Sequence, residues 1–174
     1  LFSVMAYADR VGFPCGMVTN GSLPTVQVIR QMRETHMKTI SISLDGPPEY
    51  HERVRHLPGG FSAIIRGLEK LQRADFLECV QITTVVTRQN LPYLEELYDF
   101  LQGQPIDSWR IAPVDPIGRG RERTDLLLGP EEQARLLVFL EEHSFCSHFA
   151  VTTSCSHYLG ERDTLYRDHA FQCH

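Results

Sequence analysis

Between Lys38 and Leu44 the chain alternates without a break, with Ile40, Ile42 and Leu44 on one side and Thr39, Ser41 and Ser43 on the other. A two-residue period is that of a strand with one apolar face. Asp45-Gly46-Pro47-Pro48 ends it with a run of structure breakers. Cys15 to Val18, Val80 to Thr87, Ser108 to Val114 and Phe149 to Thr153 read as four further strands, and the β-branched Val80–Thr87 run is the pattern of a strand buried on both faces. Elsewhere the period lengthens to that of a helix. Leu1, Val4, Met5, Ala8 and Val11 line one face before Gly12, and Val26, Ile29 and Met32 do so after Pro24. Phe61, Ile64, Ile65, Leu68 and Leu71 form the clearest stripe. Leu94, Leu97, Tyr98 and Leu101 make another, with Asn90 in position to cap it, and a last helix starts at Pro130 with Glu131 and Glu132 in its first turn.

Strand and helix alternate at a spacing that requires crossover connections, which makes the sheet parallel and places helices over it. The fold class is therefore α/β, a parallel sheet of βα repeats. The pattern suits part of a closed barrel and an open doubly wound sheet equally.

A chain of 174 residues with 42% apolar and 22% charged residues folds as one domain with its own core. Its net charge of -5 gives no reason to expect nucleic acid or an anionic membrane as partner. No apolar run approaches the roughly 18 residues of a spanning helix, and the expected location is the cytoplasm. The five cysteines are odd in number and form no C-x-x-C pair, which argues against a disulfide framework. The chain opens without methionine at Leu1 and stops just after Cys173, so it reads as a portion of a longer protein.

In parallel α/β domains ligands gather at the carboxyl ends of the strands. Here those ends are Thr19-Asn20-Gly21, Ser43-Leu44-Asp45-Gly46, Thr87-Arg88-Gln89-Asn90 and Pro113 to Gly120. Ser43-Leu44-Asp45-Gly46, followed by His51-Glu52, Arg55 and Gly59-Gly60-Phe61 opening a helix, resembles the fourth-strand region of radical S-adenosylmethionine enzymes that modify peptides and proteins. Val18 to Gly21, Thr84 to Asn90 and Arg110 to Gly120 are similar to the third, fifth and sixth strand ends of that family. Tyr158-Leu159-Gly160, Arg167-Asp168 and Phe171-Gln172-Cys173 resemble the approach to the auxiliary-cluster extension of its SPASM subfamily.

The resemblance implies an incomplete (β/α)6 TIM-like barrel, with residues 1–154 as part of the radical S-adenosylmethionine core and 155–174 as the transition into the extension. It also implies an enzyme that reductively cleaves S-adenosylmethionine with a [4Fe-4S] cluster and an external electron donor, that acts on a peptide or protein side chain, and for which an auxiliary [4Fe-4S] cluster is an expectation. Two departures stand out. The C-x-x-x-C-x-x-C loop that ligates the principal cluster is absent from this sequence, and Glu52 occupies a position where the family often has Asp. The competing functions are a cluster-less binding or scaffold protein and an unrelated βα-barrel enzyme gripping a phosphate with the loop around Gly118 and Gly120.

By the same resemblance Ser43 hydrogen-bonds the methionyl end of the cofactor, Asp45 accepts from its ribose or amine, and Arg55 clamps its carboxylate. Asn20 contacts it through an amide, Ile111 lies under the adenine, and Cys173 ligates the auxiliary cluster. Each has a structural alternative. Ser43 also suits the polar face of a strand, Asp45 and Asn20 suit turns, Arg55 suits a surface ion pair with Glu49 or Glu52, and Ile111 suits the core. Cys155 with His157 is a weaker metal pair. Arg119, Arg121 and Arg123 form either a solvated loop or a receptor for acidic substrate.

Overall fold

The computed structural model describes residues 1–22, 25–144 and 148–153. Within them the chain runs α1 (Phe2–Arg10), β1 (Gly16–Thr19), α2 (Val26–Glu34), β2 (Thr39–Ser43), α3 (Pro48–Arg55), α4 (Gly60–Ala74) and β3 (Cys79–Val86). A 3-10 turn at Leu91–Tyr93 then leads into α5 (Leu94–Leu101) and β4 (Ser108–Pro113). Two further 3-10 turns, Gly118–Glu122 and Thr124–Leu126, precede α6 (Pro130–His143) and β5 (Ala150–Thr153). Every strand pairing is parallel, and the strands lie in the order β1-β2-β3-β4-β5. A doubly wound sheet reverses its strand order at a switch point. This one does not, so it winds in one sense, as a barrel segment does.

The two faces of the sheet differ sharply. On one, Ile42, Ile82, Trp109 and Val151 stand in a row across four strands, exposed by 1%, 0%, 0% and 5%. Ile64, Leu68 and Leu71 of α4, Leu94, Leu97 and Leu101 of α5, and Leu136, Phe139 and Leu140 of α6 belong to the same core. On the other face the rows are Val18, Ser41, Gln81, Ser108 and, one step along, Ser43, Thr83, Arg110, Thr152. This open face is polar and largely half-exposed. The expectation that Val80–Thr87 is buried on both faces is therefore corrected. In β3 Val80, Ile82, Thr84 and Val86 are buried while Gln81 and Thr83 are half-exposed and Val85 is exposed. The polar side chains at alternate positions were the signal, since a strand buried twice has no use for them.

Helix α3 was not expected. Pro47-Pro48 reads as a break, but Pro48 occupies the first turn, where the missing N–H costs nothing and the fixed φ suits a helix. Of its eight residues only Tyr50 and His51 are buried, so it has no apolar stripe to announce it. Gly21 follows β1 with φ +74°, and a Cβ there would come within 2.6 Å of Ile64 and 2.8 Å of Ile42. Both the backbone sign and the space demand glycine.

Candidate functional site

The carboxyl end of β2 is fixed from its neighbour. The Leu44 N–H donates to the Thr83 carbonyl (3.0 Å), extending the ladder one residue past the strand. The Trp109 indole N–H donates to Thr84 Oγ1 (2.8 Å), and the Thr84 hydroxyl donates to the Leu44 carbonyl (2.6 Å). A hydroxyl buried in an apolar face is thus used as donor and acceptor, which offsets its burial. The chain enters Asp45 from a rigid end.

Asp45 is 4% exposed. A carboxylate in such a place is costly unless paired and hydrogen-bonded. Its Oδ2 accepts from Arg55 Nε (2.6 Å) and its Oδ1 from the Val85 N–H (3.3 Å). Its own N–H donates to His51 Nδ1 (3.3 Å), and its carbonyl accepts from Asn90 Nδ2 (2.8 Å). The residue is therefore tied to β3, to α3 and to the turn after β3.

Asn90 does not cap a helix, contrary to expectation; its side chain turns back toward the strand ends. Nδ2 donates to the Asp45 and Val85 carbonyls (2.8 and 2.9 Å), while Oδ1 accepts from the N–H and hydroxyl of Thr87 (2.6 and 3.0 Å). At 1% exposure it is a strut between the ends of β2 and β3. The Tyr50 hydroxyl reaches Thr87 Oγ1 (3.4 Å) from α3 and adds a second tie.

His51 is 0% exposed. Because its Nδ1 accepts from Asp45, a neutral ring carries its proton on Nε2, and that atom has no hydrogen-bond partner among the described residues. The edge of its ring meets Phe61. Burial pushes the imidazole below its ordinary pKa, against the attraction of the Asp45 charge. Thr84, His51 and Asn90 were not singled out as site residues by sequence. Asn90 reads as a helix cap and His51 as one residue of the resembling motif, and neither position shows its burial in the sequence.

The structure brings Ser43, Asp45 and Arg55 together at one strand end. The Ser43 hydroxyl is half-exposed on the open face and has no partner among the described residues. Arg55 spends Nε on Asp45, and its two Nη groups have no partner there either. A hydroxyl and a paired guanidinium edge are the donor set that the amino-acid end of S-adenosylmethionine requires, so the residues present fit that cofactor. Asn20 is exposed and accepts from the Ser22 N–H (3.2 Å) and hydroxyl (2.7 Å), its turn role. Ile111 is 0% exposed and lies in register between Thr84 and Thr153 on the helix-covered face, its core role.

A cluster is another matter. Cys15 precedes β1 and Cys79 opens β3, at the end of the sheet opposite Asp45, so they offer no ligand set beside it. Cys146, Cys155, His157 and Cys173 lie outside the described residues, as does the 155–174 segment. Glu95, Glu142 and His143 approach one another on the outer helices α5 and α6, where His143 is paired with Glu95 (3.0 Å) and stacked on Tyr98. The loop around Gly118 and Gly120 leads into 3-10 turns and not into an α-helix N-terminus, so the expected phosphate cradle is not built. Arg123 there pairs with Asp125 (2.8 Å) in solvent.

The sequence profile of the Radical SAM superfamily matches residues 2–101. An AdoMet-dependent heme synthase of Oleidesulfovibrio alaskensis is 32% identical over 91% of this chain and 41% of its own length. One from Methanosarcina barkeri is 28% identical over 91% of this chain and 45% of its own. The chain thus spans less than half the length of the curated relatives it matches. Among solved structures, Streptococcus suis SuiB bound to precursor peptide SuiA superposes with TM-score 0.72, at 14% identity, over 90% of this chain and 35% of that one. At that identity the likeness is one of fold.

Proposed function

Because this chain belongs to the radical SAM superfamily, we propose that it forms the part of a longer enzyme that binds the amino-acid end of S-adenosylmethionine, and that the substrate is an iron porphyrin. The observation that carries the cofactor reading is the geometry of Arg55. Its Nε is anchored on the buried Asp45 carboxylate (2.6 Å), which leaves the two Nη groups without a partner among the described residues and available to a second carboxylate. When bound and reduced by one electron, S-adenosylmethionine supplies the hydrogen-abstracting power for which the superfamily is named.

The residues of this chain do the rest of the work at that end. Ser43 offers a hydroxyl from a strand that cannot shift, because Leu44 is bonded at both its N–H and its carbonyl. Asp45 keeps Arg55 in place, and Asn90 keeps Asp45 in place. The described cysteines, Cys15 and Cys79, lie at the opposite end of the sheet and do not suit the [4Fe-4S] cluster. An external electron donor and an auxiliary cluster ligated by Cys173 remain part of the proposal for the longer protein. No helix is long and apolar enough to cross a membrane among the described residues.

The porphyrin reading rests on the curated relatives, both named heme synthases at 28% and 32% identity. A peptide or protein substrate is the second reading, supported by the fold shared with a peptide-bound enzyme. Calorimetric titration of the full-length protein with S-adenosylmethionine tests the cofactor site. Arg55→Gln is expected to weaken binding at least tenfold and Ser43→Ala severalfold. Unchanged affinity in both variants removes the site.

A further inference from the structure

Arg110 stands in the third position of β4, on the open face, in the row Ser43, Thr83, Arg110, Thr152. It is exposed, and its guanidinium has no partner among the described residues. It borders a depression of about 390 Å³ that is lined by Thr39, Ser41, Cys79 and Gln81, together with Val18 and backbone of β1 and β2, and the lining contains no carboxylate.

The neutral polar groups around it are already engaged with one another. Ser41 and Thr83 share a hydrogen bond (2.6 Å), and Gln81 Nε2 donates to Ser108 Oγ (3.0 Å). A cation at the edge of a hollow with neutral walls is a receptor for an anion from outside the sheet, because no counter-charge among the described residues competes for it. Guanidinium presents two parallel donors and so favours a planar carboxylate. The row also fixes the distance. Ser43 and Arg110 are two strands apart, about 10 Å between their backbones at the ordinary strand spacing. The hollow lies toward the opening residues of the strands, Gly16, Thr39 and Cys79, so an anion held there by Arg110 would lay a flat, extended molecule along the open face from that end toward Ser43.

We infer that Arg110 anchors a peripheral carboxylate of the substrate in the hollow on the open face of the sheet, a second anion subsite separate from Arg55. This rests on the iron-porphyrin reading, since porphyrins of that kind bear carboxylates on their rim.

The test is an absorption titration of the full-length protein with iron coproporphyrin III, with its tetramethyl ester in parallel and S-adenosylmethionine affinity as the control for folding. Arg110→Gln is expected to raise the porphyrin Kd at least tenfold, Arg110→Lys less, and both to leave the S-adenosylmethionine Kd within twofold. Esterification should weaken binding to the wild type by a similar factor and make Arg110→Gln indifferent. Wild-type binding that Arg110→Gln does not alter overturns the inference and leaves the porphyrin reading standing. Equal loss of both ligands assigns Arg110 a structural role and overturns it too. Wild-type protein that binds no porphyrin overturns the substrate reading, and this inference with it.

Discussion

Asn90→Ala removes a side chain that makes four hydrogen bonds at 1% exposure. Alanine fills its backbone position, so the damage falls on what Asn90 leaves behind. The Asp45 and Val85 carbonyls lose their side-chain donor, and the Thr87 N–H loses its acceptor. A buried polar group left unpaired costs about 1–3 kcal/mol, and water can reach the partly exposed Val85 end, so the net loss should be about 3 kcal/mol. In a domain of this size that corresponds to a fall in Tm of about 6–12 °C. Asn90→Asp should be at least as damaging, because it sets an acceptor against two carbonyls. Urea denaturation followed by the emission of Trp109, the single tryptophan and 0% exposed, reads the change as a lower midpoint at constant slope. A variant within about 0.5 kcal/mol of the wild type would refute the strut, since that is the range of a surface substitution.

Gly21→Ala should cost about 2 kcal/mol or more, combining the positive φ with the collision against Ile42 and Ile64, and the same urea assay measures it. His51 predicts a pH dependence. Its folded pKa lies below the ordinary value, so on acidification the unfolded chain takes up the proton first. Its contribution is complete above about pH 6.5 and is lost as the pH falls from there toward the depressed folded value, with a slope of at most about 1.4 kcal/mol per unit. Denaturation midpoints between pH 7.5 and 5 should show this loss, and His51→Gln should flatten that part of the profile; an unchanged profile would contradict the buried neutral ring.

The strands and most helices were legible because their signal is periodic. Ile40, Ile42 and Leu44 announce both a strand and its buried face, and the α4 stripe is complete in the sequence. Helix α3 was not legible, because it is held by position and not by an apolar face. The site divides in the same way. Ser43, Asp45 and Arg55 were named through the family resemblance, and the structure pairs Arg55 with Asp45 two residues beyond Ser43. What sequence could not give is the pairing across strands: that Thr84 links Trp109 to Leu44, or that Asn90 spans from Thr87 to Asp45. The long-range contacts among these join residues 25, 40 and 45 positions apart, and nothing local distinguishes them from turn residues. Asn20 and Ile111 show their structural alternatives. Their places at strand ends suggested a ligand, whereas their contacts are those of a turn and a core.

The most direct test of the account is the formation of 5′-deoxyadenosine by the anaerobically reconstituted full-length protein, given reductant and S-adenosylmethionine with and without iron coproporphyrin III. The account predicts formation that the porphyrin stimulates and that Arg55→Gln reduces at least tenfold at low cofactor concentration. No 5′-deoxyadenosine from a protein carrying its full iron and sulfide would contradict it.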